Sequence, residues 1–151
     1  MAYMPCSVDA KGRLKIPNEI QRWLESLNSK LFVTTWSGSD FQVYLREGFA
    51  SQIAHLEEIA LDPELRESAQ RQIFVGKRFG AEAEMDSDGR IHLPPLLRLK
   101  LGIDKVSAPF VIGPDRDHFN LVHAAKFNEL AEAYEPFMAA DAELMNAVGR
   151  R

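Results

Sequence analysis

The strongest constraint in this sequence is an internal repeat. Residues 7–24 and 84–101 align without a gap at a constant offset of 77 positions. Asp9/Asp86, Gly12/Gly89, Arg13/Arg90 and Pro17/Pro94 are identities, and Leu14/Ile91, Ile16/Leu93, Ile20/Leu97 and Leu24/Leu101 keep apolar character. After a one-residue slip, Phe41, Val43 and Tyr44 correspond to Phe119, Leu121 and Val122, and Phe49 to Phe127. The duplication therefore spans both halves of a 151-residue chain. Two modules of that size are each marginal alone. They are expected to share one core or to gain stability by oligomerising.

Each copy of the repeat has a local physical reading. Asp9 and Asp86 accept hydrogen bonds from turn amides, and Gly12 and Gly89 supply a positive φ. The following Arg13-Leu14-Lys15-Ile16 and Arg90-Ile91-His92-Leu93 alternate as half-buried strands with one polar face. Pro17 and Pro94 then end the strand and open a short helix. In the first copy, Ile16, Ile20, Trp23, Leu24 and Leu27 give that helix one apolar side.

Between the repeats, residues 31–35 and 41–45 read as strands joined by a turn at Ser37-Gly38-Ser39-Asp40. Phe49, Ile53, Leu56 and Ala60 mark an amphipathic helix. A second helix is expected to start with Asp62 as N-cap and Pro63 as its first residue, and to run to about Phe74. The second copy offers strands at 109–113 and 119–123, then a helix bearing Phe127, Leu130, Ala131 and Tyr134. The Ala-rich tail from Pro136 is expected to be helical, with residues 149–151 mobile. The resulting division is a first module at 6–52, a helical connector at 53–77, a second module at 78–135 and a tail at 136–151.

Charge narrows the function. The formal net charge is −4 and the pI about 5.6, which argues against a protein that coats nucleic acid indiscriminately. Any anion-binding surface must be local. Lys11, Arg13 and Lys15 stand at alternate positions and would share one face of an extended segment. Such a face suits phosphate contacts, and an arginine can also read guanine O6 and N7. A solvated strand face remains the plain alternative at this point.

The duplicated Asp-x-x-x-Arg element, followed each time by an apolar strand and Pro, resembles the MraZ family. Arg71-Gln-Ile-Phe-Val-Gly76 is similar to that family's connector, and Pro94-Pro-Leu-Leu-Arg98 to its helix opening. The likeness covers about residues 6–135. It implies an α+β fold of two tandem AbrB-like swapped-hairpin β-barrel modules forming one pseudo-symmetric unit with connecting helices. It also implies a transcriptional regulator of a cell-division and cell-wall gene cluster, acting on its own promoter too. The expected partners are double-stranded DNA with repeated sites and further copies of the chain in a ring, with an octamer as the candidate size. Lys11, Arg13, Lys15, Arg90 and His92 are the expected DNA contacts; Asp9, Gly12, Asp86 and Gly89 are the turn formers. For Arg90 a salt bridge to Asp86, or across the swapped barrel, is the competing role. Two departures stand out. Ala2-Tyr3-Met4-Pro5 replaces the family's Phe-Arg-Gly start, and Asp88 stands in the second turn where Lys11 stands in the first. The two copies are expected to be unequal on DNA.

Other classes are disfavoured. His55, His92, His118 and His123 show no zinc-ligand spacing, and neither a phosphate-cradling glycine loop nor a nucleophile elbow is present. A cation held by Asp86 and Asp88 is less favoured than a turn. Neither enzyme activity, cofactor, metal nor small-molecule substrate is expected. The lone Cys6 and the absence of a signal-peptide pattern or a long apolar run suggest a cytoplasmic protein without membrane contact, and the resemblance implies that it is nucleoid-associated. An AbrB-like antitoxin, or an oligomeric scaffold that does not bind DNA, is the rival. The antitoxin is disfavoured because the chain pairs two modules and lacks a disordered toxin-binding tail.

Overall fold

The computed structural model describes residues 1–28 and 30–149. Its framework is one eight-stranded antiparallel sheet. The first copy supplies β1 (Met4–Val8), β2 (Arg13–Lys15), β3 (Leu31–Thr34) and β4 (Phe41–Leu45); the second supplies β5 (Ala81–Ala83), β6 (Arg90–His92), β7 (Ala108–Pro114) and β8 (His118–His123). The order β5-β3-β4-β8-β7-β1-β2-β6 interleaves the copies. Its two ends, β5 and β6, approach each other through the Met85–Ile91 bridge, so the sheet curls into a nearly closed barrel.

The interleaving follows a pseudo-two-fold axis. Leu14 pairs with its own equivalent Ile91 across β2–β6, and Gln42 pairs with Asn120 across β4–β8. Backbone bonds cross between the copies beside the first of these pairs: the Ile16 amide donates to the Gly89 carbonyl at 2.9 Å and the Leu93 amide to the Gly12 carbonyl at 2.8 Å. Each hairpin thus completes its hydrogen bonding on the other copy. A half-chain would leave those backbone groups without partners, which is costly when they are buried. The core is correspondingly shared: Leu14, Ile16, Ile20 and Val33 from one half, and Ile91, Leu93, Leu97 and Phe110 from the other, belong to one apolar cluster.

Short helices α1 (Asn18–Leu27) and α4 (Pro95–Leu101) follow β2 and β6. Each is preceded by its proline, and each ends on a left-handed residue, Asn28 or Gly102, that closes the last turn. Helix α2 (Arg46–Ile59) crosses the expected 52/53 boundary and packs with α3 (Arg66–Phe79) against β3. Gly76 permits that approach, because a β-carbon there would overlap the Trp36 ring. The Thr34 hydroxyl donates to the Gly76 carbonyl at 2.7 Å. After α5 (Ala124–Tyr134), a 3-10 turn at Glu135–Phe137 leads into α6 (Met138–Gly149).

Two sequence expectations need correction, and two strands go beyond them. Helix α3 does not start at Pro63: Asp62 accepts from the Glu64 amide through its carboxylate and from the Leu65 amide through its carbonyl, making a local turn. The helix begins at Arg66 and continues past Phe74 to Phe79. Strands β1 and β5 carry no sequence signal that singled them out, yet they sit within the barrel. Pro5 is accommodated because β2 pairs only with Ser7 and Val8, leaving the start of β1 an edge on that side. Gly149 closes α6; Arg150 and Arg151, read as mobile, lie outside the described residues.

Candidate nucleic-acid interface

The β2–β6 ribbon sits on the pseudo-two-fold axis. Leu14 and Ile91 point inward and are fully buried. Period-two alternation therefore turns Arg13, Lys15, Arg90 and His92 to the outer face. The register places Arg13 opposite His92 and Lys15 opposite Arg90. Like charges set directly across a strand pair are unfavourable. Here two aspartates offset them: Arg13 Nε donates to Asp9 Oδ2 at 2.7 Å, and Arg90 Nη1 lies 3.3 Å from Asp88 Oδ2. The Lys15 ammonium donates to the Asp88 carbonyl, so a cation of one copy is tied to the turn of the other.

The turns flank this ribbon. Asp9 Oδ1 accepts from the Lys11 amide at 3.0 Å and the Arg13 amide at 2.9 Å, and Gly12 has φ +79°. Asp86 Oδ1 accepts from the Asp88 and Arg90 amides, each at 2.9 Å, with Gly89 at φ +74°. Asp86 thus holds the Arg90 backbone, while the Arg90 side chain takes Asp88 as its ion-pair partner. The copies differ here: Arg13 bonds the carboxylate of its own turn-forming Asp9, whereas Arg90 pairs with Asp88 instead of the expected Asp86. Lys11 belongs to the exposed turn rather than to β2. The face consequently combines Lys11, Arg13, Lys15, Arg90 and His92 with Asp9, Asp86 and Asp88, a small cationic excess on an acidic protein.

A further cation reaches the site from far along the chain. Arg98 of α4 lies against Gly12, donates from Nη1 to the Lys11 carbonyl at 3.3 Å and stands 3.9 Å from Asp104 Oδ1. Among the described residues, its buried Nε has no hydrogen-bond partner. At the repeat-equivalent position, Gln21 of α1 lies against Gly89. The first turn is therefore backed by a cation and the second by a neutral amide, reinforcing the inequality set by Lys11 and Asp88. Sequence reading did not assign Arg98 to this site, although the 77-residue offset exposes the Arg/Gln mismatch.

The other ionisable groups are dispersed. His55 lies on α2, His118 stacks on Tyr44 at 4.6 Å, and His123 packs on Phe110 at 4.4 Å. Burial pushes the Cys6 thiol up to about 12, so it stays protonated near neutral pH and is a poor nucleophile. Among the described residues, no helix is long and apolar enough to cross a membrane.

The turn carboxylates have a defined acid response. Desolvation raises Asp9, but hydrogen bonds from the Arg13 amide and side chain and from the Lys11 amide outweigh it, leaving Asp9 below its ordinary value. Asp86 is lowered first by the Arg90 amide and further by the Asp88 amide. A carboxylate whose folded pKa is depressed stabilises the fold fully above its unfolded value, about 3.9, and loses that contribution as pH falls through the folded value. The amide NMR signals of Lys11, Arg13, Asp88 and Arg90 should shift with acid titration midpoints below about 3.9. A midpoint above that value for either turn would contradict these hydrogen bonds.

No family model matches the chain. The chain is similar to proteins named transcriptional regulator MraZ. It is 28% identical to the one from Koribacter versatilis over 152 aligned positions, covering 96% of this chain and 95% of that protein. It is 31% identical to the one from Lactiplantibacillus plantarum over 134 positions, covering 83% and 91%. The match to the Acidobacterium capsulatum protein is shorter, 30% over 95 positions, covering 62% of this chain and 63% of that one.

Proposed function

This chain belongs to the MraZ family of transcriptional regulators, and on that premise we propose that it binds double-stranded DNA sequence-specifically through the outer face of the β2–β6 ribbon. The observation that carries this reading is the like-charged cross-strand pairing of Lys15 with Arg90 at the pseudo-two-fold axis. A strand pair that sets cations opposite one another loses stability unless anions neutralise them. The ribbon aspartates do so only in part, and phosphate oxygens would complete the set. Lys11 and Lys15 suit phosphates, whereas the forked guanidinium groups of Arg13 and Arg90 can also read base edges. His92, opposite Arg13 on the same face, offers a ring N–H as a further donor.

One ribbon with so small a cationic excess binds weakly. The reading therefore includes a ring of copies that presents several ribbons to repeated sites, with affinity gained through effective concentration. The proposed targets are a cell-division and cell-wall gene cluster and the protein's own promoter. The protein acts in the cytoplasm at the nucleoid, and as a binder rather than an enzyme.

The test is fluorescence anisotropy with duplex DNA from upstream of the protein's own gene. Affinity should exceed that for a scrambled duplex, fall steeply with salt, and drop when repeated sites are reduced to one. Lys15→Ala should lower the salt slope by about one for each engaged ribbon. Equal affinity for both duplexes, or a slope unchanged by Lys15→Ala, would favour the scaffold reading instead.

A further inference from the structure

Helix α3 leaves an apolar shelf uncovered. Phe74 is 65% exposed on a helix whose other side is seated against Trp36. Two shallow hollows border the ring, one lined by Glu67, Gln70, Arg71 and Val75, the other by Gln70, Ile73, Lys77 and Arg78. A single exposed aromatic means little, but one raised between two hollows has the form of a helix-packing surface. Arg66, Arg71, Lys77 and Arg78 against Glu67 make α3 strongly basic.

The opposite character appears at the far end of the chain. The arm formed by α5, the 3-10 turn and α6 carries Glu129, Glu132, Glu135, Asp141 and Glu143 against Lys126. Met138, Leu144, Met145 and Val148 fall on one side of α6 and are all exposed, as is Phe137 at the end of the preceding 3-10 turn. Asp141 lies within that stripe at helical spacing, so an apolar surface contains one carboxylate that needs a cation. The internal repeat underlines the difference. The helix after α2 folds back onto its own module at Trp36, whereas no residue of α6 is buried.

From these two surfaces we infer that the α6 arm of one copy docks on the α3 shelf of a second copy. Phe74 enters the Leu144–Met145–Val148 stripe, and the Arg71/Lys77 flank receives Asp141. This rests on the assembly reading given above and names the surfaces that produce it. Shelf and arm are different surfaces, so the contact is head-to-tail and propagates from copy to copy, as a heterologous contact does. The β2–β6 ribbon takes no part in it and stays free for DNA.

Analytical ultracentrifugation of the full-length protein and of the variants Phe74→Asp and Met145→Asp tests the inference. Both positions are exposed, and circular dichroism should show both variants folded. Wild type is expected to assemble, with each variant dissociating at least tenfold more readily. An equimolar mixture of the two is expected to give heterodimers and nothing larger, because only one intact shelf–arm contact can form. Variants that assemble like wild type, or a mixture that stays monomeric or regains full-size assemblies, would overturn this pairing and leave the assembly reading standing. A wild-type chain that is monomeric at tens of micromolar would overturn both.

Discussion

Replacing Phe110 by alanine is expected to lower the free energy of unfolding by about 3–5 kcal/mol. The ring is 1% exposed, lies edge-on to Phe41 at 5.2 Å, and has His123 at 4.4 Å. It sits on β7, between β1 and β8, with Cys6 and His123 as its strand partners. Removing it opens a void where the two copies meet, and neither copy can close it without moving a strand that the other also uses. Domains of this size have about 5–15 kcal/mol in total, so the variant should be marginal. Leu99→Ala, on the exposed side of α4, is the control and should change stability by no more than about 0.5 kcal/mol. Urea unfolding followed by the fluorescence of Trp23, which lies edge-on to Phe119 at 5.6 Å, measures both. A loss below about 1 kcal/mol at Phe110 would mean that the halves do not depend on a common core.

Replacing Arg13 and Arg90 together by alanine is expected to weaken DNA binding by about 2–6 kcal/mol, roughly 30-fold or more. Each arginine faces outward from the ribbon and is held for contact by one aspartate. Folding should suffer much less. Partly exposed ion pairs contribute at most about 1 kcal/mol each, and the turns keep their amide–carboxylate bonds without the side chains. Sedimentation should be unchanged, because the arginines lie outside the shelf–arm contact. Anisotropy titrations alongside a urea melt separate the two effects. A variant that binds DNA as wild type does while melting normally would remove the arginines from the interface. One that loses binding only because it unfolds would make them structural.

Much of this was readable from local chemistry. The Asp-x-x-Gly turns are closed by bonds reaching at most four residues, so their residue types announce them. Strands β4 and β8 alternate, and β3 and β7 are short apolar runs bounded by turn residues, so all four are found within a residue or two at their ends. What escaped was set by distant partners. Met4-Pro5-Cys6 and Ala81-Glu82-Ala83 have little strand propensity of their own and become strands because β7 and β3 pair with them. Arg98 reaches Lys11 across 87 positions, a contact that only the swapped topology creates. Asp62-Pro63 failed as a helix start for the opposite reason: a locally plausible cap was taken by a tighter turn of the same chemistry.

The outer face of the β2–β6 ribbon is tested most directly by amide chemical-shift mapping on addition of the upstream duplex. The largest changes should fall in residues 11–15 and 88–92, with α3 and α6 unaffected beyond the assembly state. Changes confined to α3, with both turns silent, would place the nucleic acid on the other basic surface and contradict contact through the ribbon.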